Sequence, residues 1–178
     1  LKKLQRECVL LDDDIRWLVA LISDSGMRLS EAVGLLVDDI VLDAEQPHIT
    51  LIKHPHRRLK TDASERVIPL VGASLWAARR IKENTTSRFC FSRYCSEDNC
   101  NSNSASAAIN KWIKTIVGSE GVIHGLRHGF RDRLRAVEAP VDMIDQLGGW
   151  SLRSVGQGYG DGYPLDLLHR WMQKIALG

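Results

Sequence analysis

Apolar residues recur at helical spacing along most of the 178-residue chain, and two short runs break that rhythm. Residues 48 to 53, His-Ile-Thr-Leu-Ile-Lys, and 66 to 71, Arg-Val-Ile-Pro-Leu-Val, are rich in side chains that suit a pleated, half-buried surface. Joined by a polar, basic stretch, they predict a hairpin, so the fold class is mainly α with a small antiparallel β-sheet. Asp12 to Asp14 precede Ile15, Leu18, Val19 and Ile22, an acid-capped amphipathic helix that stops at Gly26. A second helix follows, with Ser30 as its N-cap and Ala32, Val33, Leu35 and Leu36 turned inward. Residues 84 to 106 read as a long polar loop before a helix over 107 to 117. Residues 124 to 138 carry Leu126, Phe130, Leu134 and Val137 as a buried stripe. Pro140 opens a short helix with Val141, Ile144 and Leu147 on its apolar side, and Gly148-Gly149 ends it. Leu165, Leu167, Leu168, Trp171, Met172 and Ile175 give an amphipathic terminal helix.

A chain of this length is one domain able to bury a proper core. Its 24 Lys and Arg against 22 Asp and Glu, with a net charge of +2, hint only mildly at nucleic acid. The local clusters at residues 53 to 66 and 124 to 135 say more. There is no apolar run long enough to cross a membrane and no internal repeat. Cys90, Cys95 and Cys100 recur every five residues, with Cys8 far away. Zinc ligands usually pair at shorter spacing and need a fourth member, for which this stretch has no histidine. No metal is expected, and free thiols in a reducing cytosol are the expectation for all four cysteines.

The candidate chemistry lies in the last third. His124, Arg127 and Arg131 follow at i, i+3 and i+7, which places them on one second helix face where side chains can converge on an anion. A guanidinium can give a phosphate two hydrogen bonds at once. Taken alone, these residues equally suit a solvated helix face with His124 as a capping residue. Trp150 follows the glycine break, and nine residues later comes Tyr159, in a stretch whose four glycines place it on a mobile segment. A phenol with a pKa of about 10 is a weak nucleophile. It attacks phosphorus only where the phosphate charge is neutralised and the leaving oxygen is given a proton. Upstream, Arg28 sits in a helix-to-helix joint, placed either to enter a cleft or to pair with Glu31 at the surface. The connection between the two β runs carries Arg57, Arg58 and Lys60, cations able to neutralise backbone phosphates or simply to solvate a loop.

These residues together resemble the catalytic domain of the tyrosine recombinases, the phage integrase family. Ser25-Gly-Met-Arg28-Leu-Ser-Glu31 is similar to that family's first arginine box, and Leu59-Lys60-Thr61 followed by Ser64-Glu-Arg-Val-Ile-Pro69-Leu to its lysine hairpin. His124-x-x-Arg127 matches the second box, Trp150 takes a position where many members have histidine, and Tyr159 follows at the nucleophile's spacing. Six positions in the right order cover nearly the whole chain. The resemblance implies the fold of a DNA breaking-rejoining enzyme, with double-stranded DNA as partner and no cofactor. It implies Tyr159, not Tyr163, as nucleophile, and a 3′-phosphotyrosine intermediate that stores the bond energy. Arg28 and Arg127 would hold the non-bridging oxygens, with His124 assisting. Lys60, selected from its neighbours by the resemblance and not by spacing, would protonate the leaving oxygen. An indole donates a hydrogen bond but carries no proton across, so Trp150 would bind phosphate and pack. Glu31 would orient its neighbours, and His128, about 100° round the helix from Arg127, would be structural or touch the DNA backbone. The resemblance further implies cytoplasmic action in a bacterium or phage host, assembly into a tetramer on paired sites, and a terminal helix docked on a neighbouring subunit; docked in cis instead, that helix would leave the chain monomeric. The absent initial methionine, with no room for the family's amino-terminal DNA-clamping domain, suggests an excised catalytic half. The alternatives are a type IB topoisomerase, with related chemistry, and a DNA-binding relative that has lost activity.

Overall fold

The structure, a computed structural model, describes residues 1–61, 64–150 and 162–177. Helix α1 (Lys2–Leu11) turns into α2 (Asp14–Ser25) through Asp12, and the Asp13 side chain accepts from Arg16 N at 3.0 Å as the N-cap of α2. The acidic run thus begins the helix where its charges foretell. From Leu18 to Ser25 every residue of α2 is buried, so it is a central strut and not a half-exposed amphipathic helix. Helix α4 (Gly72–Asn84) packs along it more extensively than any other element.

Short α3 (Leu29–Val33) and a single 3-10 turn lead to the strands β1 (Ile40–Val41), β2 (His48–Leu51) and β3 (Arg66–Pro69). They form one antiparallel sheet in the order β1-β2-β3, with Ile40 opposite Ile49 and Ile49 opposite Ile68. Period-two alternation turns Ile49, Leu51 and Ile68 into the core. Helices α5 (Ser102–Val117), α6 (Ile123–Ala136), α7 (Val141–Gly148) and α8 (Leu165–Ile175) complete the described residues. None of these helices is long and apolar enough to span a membrane.

One buried carboxylate locks the helical layer. Asp24 accepts from Gln5 Nε2 at 3.0 Å, Ala73 N at 2.9 Å and Arg133 Nη1 at 2.7 Å, joining α1, α2, α4 and α6. Arg133 also donates to Ile175 O at 2.8 Å, which fastens the end of α8. Leu168, Met172 and Ile175 are buried, and α8 packs on β3 and α6 of its own chain, where docking on a neighbour was anticipated.

Several local expectations differ from the observed structure. Arg28, not Ser30, is the N-cap of the second predicted helix; Ser30 is exposed inside α3, which ends by Val33. Val141 is 61% exposed, and Met143 takes its place beside Ile144 and Leu147 in the core. Helix α5 starts at Ser102, where Asn101 accepts from Ser104 N, and the polar stretch before it buries Phe89, Cys90 and Phe91. Cys95 and Cys100 form a disulfide, correcting the expectation of free thiols there, because the chain turns back and pairs these two residues across a bridge. Cys8 and Cys90 are free, and burial pushes both thiols up, Cys8 to about 12, so they are inert packing groups.

Gly26 fixes where α2 stops and how closely α6 approaches it. Its φ of 64° is left-handed, and a Cβ there would lie 2.2 Å from Phe130 Cδ1. Gly26→Ala is therefore expected to destabilise the fold by roughly 2–5 kcal/mol, strain and overpacking together, and to lower the thermal midpoint by several degrees. Circular dichroism melting checks this, and an unchanged midpoint would contradict the packing described.

Candidate active site

The end of α7 gathers side chains from three separate parts of the chain. A helix C-terminus presents carbonyls with no partner inside the helix and carries the negative end of its dipole. Here Leu147 O accepts from Arg66 Nε at 2.9 Å, Gly148 O from Arg127 Nη2 at 2.6 Å, and Gly149 O from Arg28 Nη2 at 3.1 Å. Three consecutive carbonyls thus hold three guanidiniums.

Arg28 enters this cluster because Gly26 ends α2 and the chain re-enters helix two residues later. As N-cap of α3, its backbone N donates to Glu31 Oε2 at 2.9 Å, while its Nη1 reaches Glu31 Oε1 and, at 3.2 Å, Ser64 Oγ. Glu31 is buried and also accepts from Arg66 Nη2 at 3.0 Å. Burial alone would raise its carboxyl, but the charge and hydrogen bonds of Arg66, joined by those of Arg28, leave it below its usual 4.5. Glu31 thus contacts both Arg28 and Arg66. Arg28 does pair with Glu31, yet in a cleft and not on an open surface.

Arg127 lies in the buried stripe of α6 with Ile123, Phe130 and Leu134, not on a solvated second face. Its Nη1 donates to Gly26 O and its Nη2 to Gly148 O, and it has no carboxylate partner among the described residues. Burial, then the like charge of Arg28, pushes it down to about 9, so it stays charged at neutral pH. Arg131 takes the carboxylate of Asp145 at 3.1 Å instead. The Trp150 ring lies against both, 4.3 Å from the Arg127 guanidinium carbon and 4.7 Å from that of Arg131. Gly148 makes room for it, since a Cβ there would sit 1.7 Å from Trp150 Cζ3.

His124 is exposed at the start of α6, edge-on to His128 at 4.7 Å. Burial, then the positive neighbours His128, Arg127 and Arg28, lowers it below 6.5. Arg28, His124 and Arg127 line one pocket of about 180 Å³, floored by Ile22, Met27 and Ile123. Lys60 is exposed on the hairpin and has no partner among the described residues. Its neighbour Thr61 bonds Ser64 Oγ at 3.1 Å, and Ser64 bonds Arg28, so the hairpin is moored to the cluster. Arg57 was expected to face DNA but is 3% exposed, tied to Asp39 Oδ2 at 3.2 Å and to Gly34 O at 3.0 Å. Tyr159 lies outside the described residues. Tyr163 is tied down: its hydroxyl donates to Asp142 Oδ1 at 2.9 Å, and burial followed by that bond raises its pKa. Arg66 and Ser64 are cluster members that stand in the sequence only as parts of the hairpin motif. No local signal distinguishes them from the neighbouring polar residues, because their partners are distant in sequence. Among the described residues no group of His, Cys, Asp and Glu is placed to hold a metal.

The family model described as Phage integrase family matches residues 6–163. No curated protein and no solved structure matches the chain.

The electrostatics give a direct expectation for His124. Its imidazole, lowered first by burial and then by its positive neighbours, is expected to titrate below 6.5 in a proton NMR pH series, and Arg127→Gln is expected to move the midpoint up by removing one of those charges. A midpoint at or above 6.5 in the unaltered chain would contradict the crowding of cations around it.

Proposed function

The chain belongs to the phage integrase family, tyrosine recombinases that act on DNA, and we propose that it cleaves and rejoins DNA strands with Tyr159 as nucleophile. The observation that carries this reading is Arg127, a buried cation with carbonyl partners and no carboxylate among the described residues. A buried charge is ordinarily paired. One left without an anion, next to Arg28 and Arg66, is a receptor for an anion supplied from outside, and a phosphodiester fits it.

In the proposed step the Tyr159 phenol loses its proton as its oxygen bonds to phosphorus. The bond from phosphorus to the 5′-oxygen breaks, leaving a 3′-phosphotyrosine and a 5′-hydroxyl. Arg28 and Arg127 hold the non-bridging oxygens, where charge grows in the five-coordinate transition state. The carbonyls behind them leave Arg127 with its Nε–H and one N–H on each terminal nitrogen for the phosphate. Trp150 keeps both guanidiniums of α6 aligned and its indole N–H is a further phosphate donor. Lys60, on the moored hairpin, protonates the leaving 5′-oxygen. His124, held neutral by its surroundings, takes the phenol's proton or stabilises the phosphate as a hydrogen-bond donor. Attack by a second strand's 5′-hydroxyl reverses the step and frees the tyrosine. Four copies on paired sites would complete an exchange. Because α8 covers its own core, the chain without DNA is expected to sediment as a monomer and to assemble only on DNA.

The test is covalent capture. The chain is incubated with a pool of nicked duplexes carrying randomised sites, and adducts that survive denaturation are recovered. Adducts are expected for the unaltered chain and for Tyr163→Phe, none for Tyr159→Phe, and at least hundredfold fewer for Arg127→Ala. No adduct from the unaltered chain would sink the enzyme reading and favour a DNA-binding relative without activity; loss confined to Tyr163→Phe would move the nucleophile.

A further inference from the structure

The pocket that brings Arg28, His124 and Arg127 together has a fourth polar wall, contributed by a helix outside the motifs. Ser106, half-buried on α5, lines it. Two hydrogen bonds make its hydroxyl oxygen an acceptor and leave its proton for another partner. Ile123 N, at the start of α6, donates to Asn110 Oδ1 at 2.8 Å. A backbone N–H only donates, so the Asn110 amide must present its oxygen there and its Nδ2 on the other side. That Nδ2 lies 3.2 Å from Ser106 Oγ. Ser106 is therefore the acceptor in this bond, and its own proton is turned elsewhere. Helical serines often give that proton to a carbonyl in the preceding turn, as Ser23 does to Ala20 O at 2.8 Å; Ser106 makes no such bond among the described residues.

We infer that Ser106 is a further hydrogen-bond donor to the phosphate held between Arg28 and Arg127, an inference that rests on the phosphoryl-transfer reading above. The chemistry calls for one. Arg28 Nη1 gives both of its hydrogens to Glu31 and Ser64, and one on Nη2 to Gly149 O, so Arg28 reaches an anion through Nε–H and a single Nη2–H. A neutral hydroxyl from α5 adds a donor without adding to the repulsion among the crowded cations. Asn110 serves as its positioning residue. By bonding Ile123 N and Ser106 Oγ together, it sets the hydroxyl against the first turn of α6, the turn that carries His124 and leads into Arg127.

Ser106→Ala removes the donor and replaces it with a better helix former, so the fold is retained. With the duplexes captured above, it is expected to slow cleavage at saturating DNA by about tenfold or more, the order of a hydrogen bond to a charged group. The thermal midpoint and DNA affinity stay unchanged, and Ser104→Ala, on the exposed side of the same helix, cleaves normally. Asn110→Asp still accepts from Ile123 N but offers Ser106 an acceptor, turning its proton away from the pocket. It should show a similar defect, to which Ser106→Ala adds nothing further. On the methylphosphonate diastereomer that lacks the oxygen facing Ser106, the unaltered chain and Ser106→Ala should cleave equally. Cleavage by Ser106→Ala at the unaltered rate, or an equal loss on both diastereomers, overturns the inference. Orthovanadate binding, read by vanadium NMR line broadening, tests the donor without cleavage. Several-fold weaker binding by Ser106→Ala supports it and equal binding overturns it, even if the unaltered chain forms no adduct and only the recombinase reading fails.

Discussion

The last turn of α7 holds the candidate site together. Three guanidiniums brought to one place repel one another, and neighbouring like charges lower the tendency of each to stay protonated. The carbonyls of Leu147, Gly148 and Gly149 offset that repulsion with the partial negative charge of a helix end, one oxygen for each of Arg66, Arg127 and Arg28. Glu31 supplies the formal counter-charge, shared between Arg28 and Arg66. Without the αL turn at Gly149, φ 61°, these carbonyls would not end as a row facing the cluster.

Arg127 remains under-neutralised by this arrangement. It shares its surroundings with Arg28, Arg66 and Arg131, while the buried carboxylates Glu31 and Asp145 serve the other three. The site therefore stores positive potential in a low-dielectric pocket, where an arriving anion gains more than it would at the surface. Preorganisation of this kind is what transition-state charge requires: the donors are aimed before the charge develops. Burial, reinforced by the same field, lowers the His124 pKa below its usual 6.5. The field also explains why an indole, and not a second carboxylate, lies across Arg127 and Arg131; a ring face favours cations without neutralising them.

Much of the fold was legible because local rules decide it. The acidic start of α2 and its glycine stop, the two strands, the stripe of α6 and the glycine break after α7 all follow from capping, periodicity and backbone freedom within a few residues. The hairpin connection misled for the opposite reason. Arg57 reads like Arg58 and Lys60, but Asp39 and the carbonyl of Gly34, 18 and 23 residues away, draw it inward together with the nearby carbonyl of Ile52. Arg127 does share a pocket with His124, as the helical spacing implies, but its burial beside Ile123 and Phe130 is not visible on a helical wheel, which treats arginine as polar. Burial of its charge becomes tolerable once Gly26 O and Gly148 O are in place to receive it.

By itself, the sequence determined the chemical types at the site and their order along the chain. Arg28, Lys60, His124, Arg127, Trp150 and Tyr159 occur at spacings that resemble one family, and the family match extends over residues 6–163. Only the tertiary structure decided which of these cations are buried, which are already engaged, and which remain open to a ligand. It also brought in Ser64 and Arg66, which the hairpin motif contains without singling out, and Ser106, which no local pattern marks. Helix and strand patterns are set by contacts between near neighbours, whereas charge burial and pairing depend on partners up to 121 residues away, as between Arg28 and Gly149.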